Sequence, residues 1–242
     1  MPALYAIGDI HGQLGMLDDA LALIEADGGV DAPVVFLGDY VDRGPDSRGV
    51  IVRLSEGLAQ GRNWTVLKGN HDRLFEWFMQ DEPRHDPHLL VGFHWFHEEL
   101  GSIETLHSYG IAMPERIRLQ DIHAVAKEII PQAHVDFLKG LRIFHETDGK
   151  LFVHAGIRPG IALADQTEED LVWIRQSFHR HEDRHPWLVV HGHTPVKAAT
   201  HYGNRINLDS GAGYGKPLTV AVFEDDQVWT LGKRGRKRLK PV

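Results

Sequence analysis

The sequence predicts a mixed α/β fold, parallel in its first half and more antiparallel in its second. Three observations carry this. Over residues 4–72, short apolar runs alternate with segments of helical periodicity in a β-α-β-α-β order, which implies parallel strands joined by right-handed crossovers. Each of those three runs ends in a loop carrying Gly-Asp or Gly-Asn. From residue 205 onward the apolar runs are short and separated by glycine turns, as in antiparallel hairpins.

Leu4-Tyr5-Ala6-Ile7 reads as the first strand and runs into Gly8-Asp9-Ile10-His11-Gly12. Leu14, Leu17, Leu21 and Ile24 recur at helical spacing, giving an amphipathic helix that Gly28-Gly29 stops. Val34-Val35-Phe36-Leu37 is a buried strand that opens onto Gly38-Asp39-Tyr40-Val41-Asp42-Arg43-Gly44. Val50, Ile51, Leu54 and Leu58 mark a second helix, ending near Gly61. Trp64-Thr65-Val66-Leu67 is the third strand and leads into Lys68-Gly69-Asn70-His71-Asp72. All three loops are expected on one edge of the sheet.

From Arg73 to about Glu146 the pattern turns helical, aromatic and His-rich, with Phe75, Trp77, Phe78, Phe93, Trp95 and Phe96, and is broken near Pro83–Pro87 and at Pro114. It reads as a helical elaboration beside the site. The eight histidines between His85 and His145 lack regular metal-ligand spacing and are read as surface or packing residues. Lys150–Val153 is a fourth strand, delivering His154-Ala155-Gly156. Leu171, Val172, Ile174 and Phe178 suggest a helix or tight turn around Arg175, and Leu188–Val190 leads into His191-Gly192-His193-Thr194-Pro195. Arg205–Leu208, Leu218–Phe223 and Val228–Leu231 complete the strands.

Composition narrows the classes. A chain of 242 residues, 42% hydrophobic, supports one domain over residues 1–232 with a substantial core. No run is long enough to span a bilayer, and Met1-Pro2-Ala3-Leu4 carries no export signal, so the expected compartment is the cytoplasm. The absence of cysteine excludes disulfides, thiolate metal sites and a cysteine nucleophile. A net charge of −8 argues against general nucleic-acid binding. Residues 233–242 are expected to form a separate basic tail, because Lys233–Lys240 holds six of the 26 basic residues and leaves the rest of the chain at −14. The tail is the one place where nucleic acid could be contacted. A solvated, frayed terminus is the simpler expectation.

The loop Gly38–Gly44 places two carboxylates and a guanidinium between glycines that let the backbone turn tightly. Asp and Gly are also ordinary turn residues, so the loop alone does not decide. Carboxylates bind divalent cations and a guanidinium grips phosphate oxygens with its planar fork, which points to metal-assisted phosphoryl chemistry. The other strand ends support it. Asp9, His11, Asp39, Asn70, His154 and His193 together supply three oxygen-donor side chains and three imidazoles. That set suits a pair of borderline divalent ions such as Mn, Fe, Zn, Co or Ni.

Gly8-Asp9-Ile10-His11-Gly12, Gly38–Gly44, Gly69-Asn70-His71-Asp72, His154-Ala155-Gly156 and Gly192-His193-Thr194-Pro195 resemble, in order, the calcineurin-like metallophosphoesterase signature. Asp-Arg-Gly at the end of the second motif is similar to the bacterial and phage Ser/Thr branch of the phosphoprotein phosphatases. The resemblance covers about residues 4–215. It implies a β-sandwich flanked by helices, with a helical elaboration between the third and fourth motifs. It further implies that Asp9 and His11 hold one transition-metal ion, Asn70, His154 and His193 a second, and that Asp39 bridges them, with manganese the expected metal. Arg43 and Arg175 would hold phosphate oxygens. His71, paired with Asp42, would protonate the leaving alkoxide. His193 rather than His191 is the implied ligand, because Thr194-Pro195 fixes the motif's register.

The implied activity is hydrolysis of phosphomonoesters, with phosphoserine or phosphothreonine of proteins or a small phosphoester as substrate, by direct attack of a hydroxide held between the two ions. The alternatives are symmetrical dinucleoside-tetraphosphatase activity, which the second acid Asp42 disfavours, and action on nucleotides or RNA 5′ ends.

Overall fold

The computed structural model describes residues 3–89, 94–113 and 118–242. The break expected at Pro114, and Phe93 among the aromatic residues of the elaboration, lie outside the described residues. The first half contains β1 (Leu4–Ile7), α1 (Leu14–Gly28), β2 (Val34–Phe36), α2 (Ser47–Ala59), β3 (Trp64–Val66) and α3 (Asn70–Phe78). The elaboration adds α4 (Ser102–Ser108), α5 (Leu119–Ile129) and α6 (Gln132–Lys139). The second half runs β4 (Phe144–Thr147), β5 (Lys150–Val153), α7 (Glu168–Trp173), α8 (Gln176–His179), β6 (Leu188–His191), β7 (Thr200–His201), β8 (Arg205–Asn207), β9 (Val220–Glu224), β10 (Gln227–Gly232) and β11 (Gly235–Arg238).

These strands form two mixed sheets. One has the order β11-β10-β9-β1-β2-β3 and the other β4-β5-β6-β8-β7. In the first, β1, β2 and β3 are parallel, with Ala6 opposite Val35 and Val35 opposite Thr65. In the second, β5, β6 and β8 are parallel. The loops after β1, β2 and β3 therefore open on one edge, as the alternating pattern requires.

Period-two alternation sorts the side chains into layers. Ala6, Val35, Phe152, Val190, Ile206 and Ala221 meet between the sheets. Their neighbours Tyr5, Ile7, Val34 and Phe36 point the other way, onto Leu17, Leu21 and Ile24 of α1 and Val50, Ile51 and Leu54 of α2. On the far face of the second sheet, Leu151, Val153 and Val189 pack on Leu171 and Phe178. The result is a β-sandwich with helices on both outer faces. Among the described residues no helix is long and apolar enough to cross a membrane.

The frayed basic terminus is a correction. Gly235–Arg238 pairs with β10 as the edge strand of the first sheet, Trp229 lying opposite Arg238. Arg236 and Arg238 lie over the Trp229 ring, at 5.7 and 4.9 Å, and Leu239 packs against the inter-sheet core. Composition registers only the charges of this stretch. Its alternation sets two guanidiniums on an indole, and that holds it. β4 is a second difference: it begins at Phe144, inside the stretch expected to be helical, because pairing with β5 overrides its weak local signal.

Candidate metal centre

Five site residues, His11 (φ 47°), Asp39 (φ 55°), Asp42 (φ 71°), Arg43 (φ 68°) and His193 (φ 67°), occupy the left-handed backbone region. Such residues cost about 1–3 kcal/mol each and persist only where the surroundings over-determine them. Here every one is pinned. The His11 amide donates to Asp39 O at 2.7 Å, and the Arg43 amide to Gly101 O at 2.8 Å. The Asp42 amide donates to Thr105 Oγ1 at 2.8 Å, and the His193 amide to Asp9 Oδ2 at 3.0 Å. Asp72, fully buried at the start of α3, accepts the amides of Asp39 (2.8 Å), Tyr40 (2.9 Å) and Gly69 (2.8 Å). One carboxylate thus ties the second motif to the third.

Asp39 lies at the middle. Its Oδ2 is 3.4 Å from His11 Nε2 and its Oδ1 is 3.4 Å from His154 Nε2. Asn70 Oδ1 is 3.0 Å from His154 Nε2 and 2.8 Å from His193 Nδ1. Among the described residues, two groups of His and Asp side chains come close enough to share an ion: His11, Asp39 and His71, and Asp39, His154 and His193. Asp39 belongs to both. Asp9 falls in neither; its carboxylate is buried beside them and accepts the His193 amide.

The donor set fits cations. His11 Nδ1 lies 2.8 Å from Val41 O and His154 Nδ1 lies 2.9 Å from Leu37 O, so those nitrogens carry the protons and each Nε2 keeps its lone pair. In His154 that lone pair faces the oxygens of Asn70 and Asp39, acceptor against acceptor. Burial pushes the His154 imidazole down; burial, then Arg43, pushes His11 well down, and burial, then His154 and Arg175, pushes His193 well down. Burial and the charges of Asp209 and Asp39 push the Asp9 carboxyl well up, and Asp209, also buried, is pushed up to about 6. Buried lone pairs and carboxylates that crowd without protons between them are what divalent ions relieve.

The other expected residues surround this cluster. His71 Nδ1 lies 2.7 Å from Asp42 Oδ2, and Arg43 Nη2 lies 3.1 Å from His71 Nε2. Arg43 Nη1 reaches His11 Nε2 at 2.5 Å, and Arg175 Nε donates to His193 Nε2 at 3.0 Å. Both guanidiniums therefore point into the cluster. His191 does not: two residues along β6, its ring packs with Phe178 and His179 on the sheet's outer face, near Arg205.

Four contributors escape sequence reasoning. Asp72 and Asp209 each carry a signal, an acid just beyond a strand end. Trp95 and Thr105 carry none, since they reach Asp42 across 53 and 63 residues.

A family model for calcineurin-like phosphoesterases matches residues 3–223, and the chain belongs to that family, whose members hydrolyse phosphoesters with two metal ions. It is 26% identical over 252 residues to the asymmetrical bis(5′-nucleosyl)-tetraphosphatase PrpE of Halalkalibacterium halodurans, covering 94% of this chain and 93% of that one. It is 27% identical over 229 residues to serine/threonine-protein phosphatase 1 of Salmonella typhimurium, covering 90% of each. The cold-active protein-tyrosine phosphatase of a psychrophilic Shewanella shares the fold, with a TM-score of 0.65 at 14% identity over 99% of this chain and 81% of that one.

Proposed function

We propose that the chain is a phosphomonoesterase acting on phosphoserine or phosphothreonine. The observation that carries this is the buried Asp42–His71 pair, 2.7 Å apart, with the second ring nitrogen of His71 turned to Arg43. An alkoxide is a poor leaving group and needs a proton as the P–O bond breaks; a nucleotide phosphate leaves without one. A general acid poised at the cluster therefore suits an alkyl ester.

Two divalent ions, manganese foremost, would be held by Asp9, His11 and Asp39 and by Asp39, Asn70, His154 and His193, and supply Lewis-acid charge and a nucleophile at neutral pH. The chain's own residues do the rest. Arg43 and Arg175 clamp the phosphate oxygens and stabilise the charge that grows on them. His71 gives the Nε2 proton to the departing oxygen, and Asp42 keeps the ring oriented.

The names of the relatives favour a second reading, hydrolysis of a bis(5′-nucleosyl) tetraphosphate, since one such relative spans 94% of the chain. A panel with added Mn²⁺ separates the two: a phosphothreonine peptide, p-nitrophenyl phosphate and diadenosine tetraphosphate. Preferred turnover of the peptide supports the first reading. Preferred turnover of the dinucleotide, with the peptide inert, overturns it.

A further inference from the structure

We infer that Trp95 and Thr105, both from the helical elaboration, are positioning residues that hold the Asp42 carboxylate aimed at His71. The inference rests on the reading of His71 as the general acid.

The Asp42 side chain is completely buried, so its oxygens must find hydrogen-bond donors within the protein. Three donors converge on it. Oδ1 accepts the Thr105 hydroxyl at 2.7 Å, and Oδ2 accepts the Trp95 indole N–H at 2.9 Å beside His71 Nδ1 at 2.7 Å. An indole nitrogen can only donate, so Oδ2 must be the acceptor. Thr105 Oγ1 accepts the Asp42 amide at 2.8 Å, which leaves the hydroxyl proton for the carboxylate. The same segment holds the next residue: Gly101 O accepts the Arg43 amide at 2.8 Å. A Cβ at Gly101 would sit 2.5 Å from that amide nitrogen. The contact thus needs glycine.

The elaboration therefore grips the left-handed Asp42-Arg43 pair from outside. With Asp42 held on Nδ1, His71 turns Nε2 towards the cluster. As the P–O bond breaks, a proton passes from Nε2 to the leaving oxygen, which keeps the bonding electron pair. A rotated Asp42 would leave the ring unaimed.

Thr105→Val keeps the volume and removes the hydroxyl; Trp95→Phe removes the indole donor and reports on the same carboxylate should the valine variant fail to fold. With parental metal content, each is expected to cut phosphoserine-peptide turnover about tenfold, the loss of a hydrogen bond to a charged group, and p-nitrophenyl phosphate turnover less than about twofold, because p-nitrophenolate leaves without a proton. Thr105→Ser should restore the peptide rate. In the metal-free protein, the Trp95 indole N–H resonance should shift on Asp42→Asn. Equal losses on both substrates, no rescue by serine, or an unmoved indole resonance would overturn the inference. Thr105→Val and His71→Asn losses that multiply would do the same, since residues acting as one unit are not additive. His71→Asn without leaving-group bias would refute the general-acid reading itself, and the inference with it.

Discussion

Arg236 and Asp27 meet across 209 residues, with Nη2 2.8 Å from Oδ2 and Nε 3.1 Å from Oδ1. The last strand is thereby joined to the end of the first helix, and Tyr5 donates its hydroxyl to the same carboxylate at 2.7 Å. Deleting residues 233–242 should therefore destabilise the chain, by about 2 kcal/mol or roughly 4–8 °C in melting temperature. An unchanged melting curve would show that β11 contributes nothing.

The same pair gives a pH dependence. Burial opposes the charged form of Asp27, but hydrogen bonds from Arg236 and Tyr5 outweigh it and hold the carboxyl below its ordinary value. A depressed carboxylate stabilises the fold fully above the unfolded pKa, about 3.9, and that share is lost as the pH falls through the folded value. Below about pH 4 the parent should lose stability more steeply than Asp27→Asn. Parallel curves in acid denaturation would contradict this.

Asp39 belongs to both ion-sized groups, whereas Asn70 approaches only His154 and His193. Asp39→Asn should deplete both ions and Asn70→Ala chiefly one, as read by elemental analysis. An Asp39→Asn protein with two ions, beside an Asn70→Ala protein with none, would reverse the assignment.

Gly69→Ala tests the same carboxylate by crowding. A Cβ there would lie 2.1 Å from Asp39 Oδ1 and 2.4 Å from Asp39 N, so the central acid must move. Metal affinity should fall by about tenfold or more, as for displaced supporting contacts in metal sites. Retained affinity in equilibrium dialysis would show that the loop yields instead.

His71→Asn should cut phosphoserine-peptide turnover by about 10²–10⁴ and p-nitrophenyl phosphate turnover far less, with both ions kept. Asp42→Asn should show the same bias more weakly. Equal losses accompanied by lost metal would make His71 a ligand, a role its place beside His11 and Asp39 allows.

Most of the sandwich was legible because its signals are local. The apolar runs of β1, β2 and β5 and the helical spacing of α1 each lie within one element. The strand-end loops were legible for the same reason, since Asp9, Asp39, Asn70 and His154 each follow an apolar run directly. What escaped is long-range. Trp95 and Thr105 carry no local mark of their bonds to Asp42, β4 needs β5 to be a strand, and the basic terminus becomes ordered only against Trp229 and Asp27.

The two sheets contribute unequally to the centre: Asp9, His11, Asp39 and Asn70 follow strands of the first, and His154 and His193 follow β5 and β6 of the second. The ion-binding cluster is consequently a seam. Filled, it would rivet the halves of the sandwich together at one end of their shared apolar layer. A cation present at a hundred times its dissociation constant adds about 2.7 kcal/mol to a folded state that alone binds it. Scarcity of metal would then shorten the lifetime of the chain as well as slow its chemistry, and a melting temperature that climbs with added Mn²⁺ would reveal it.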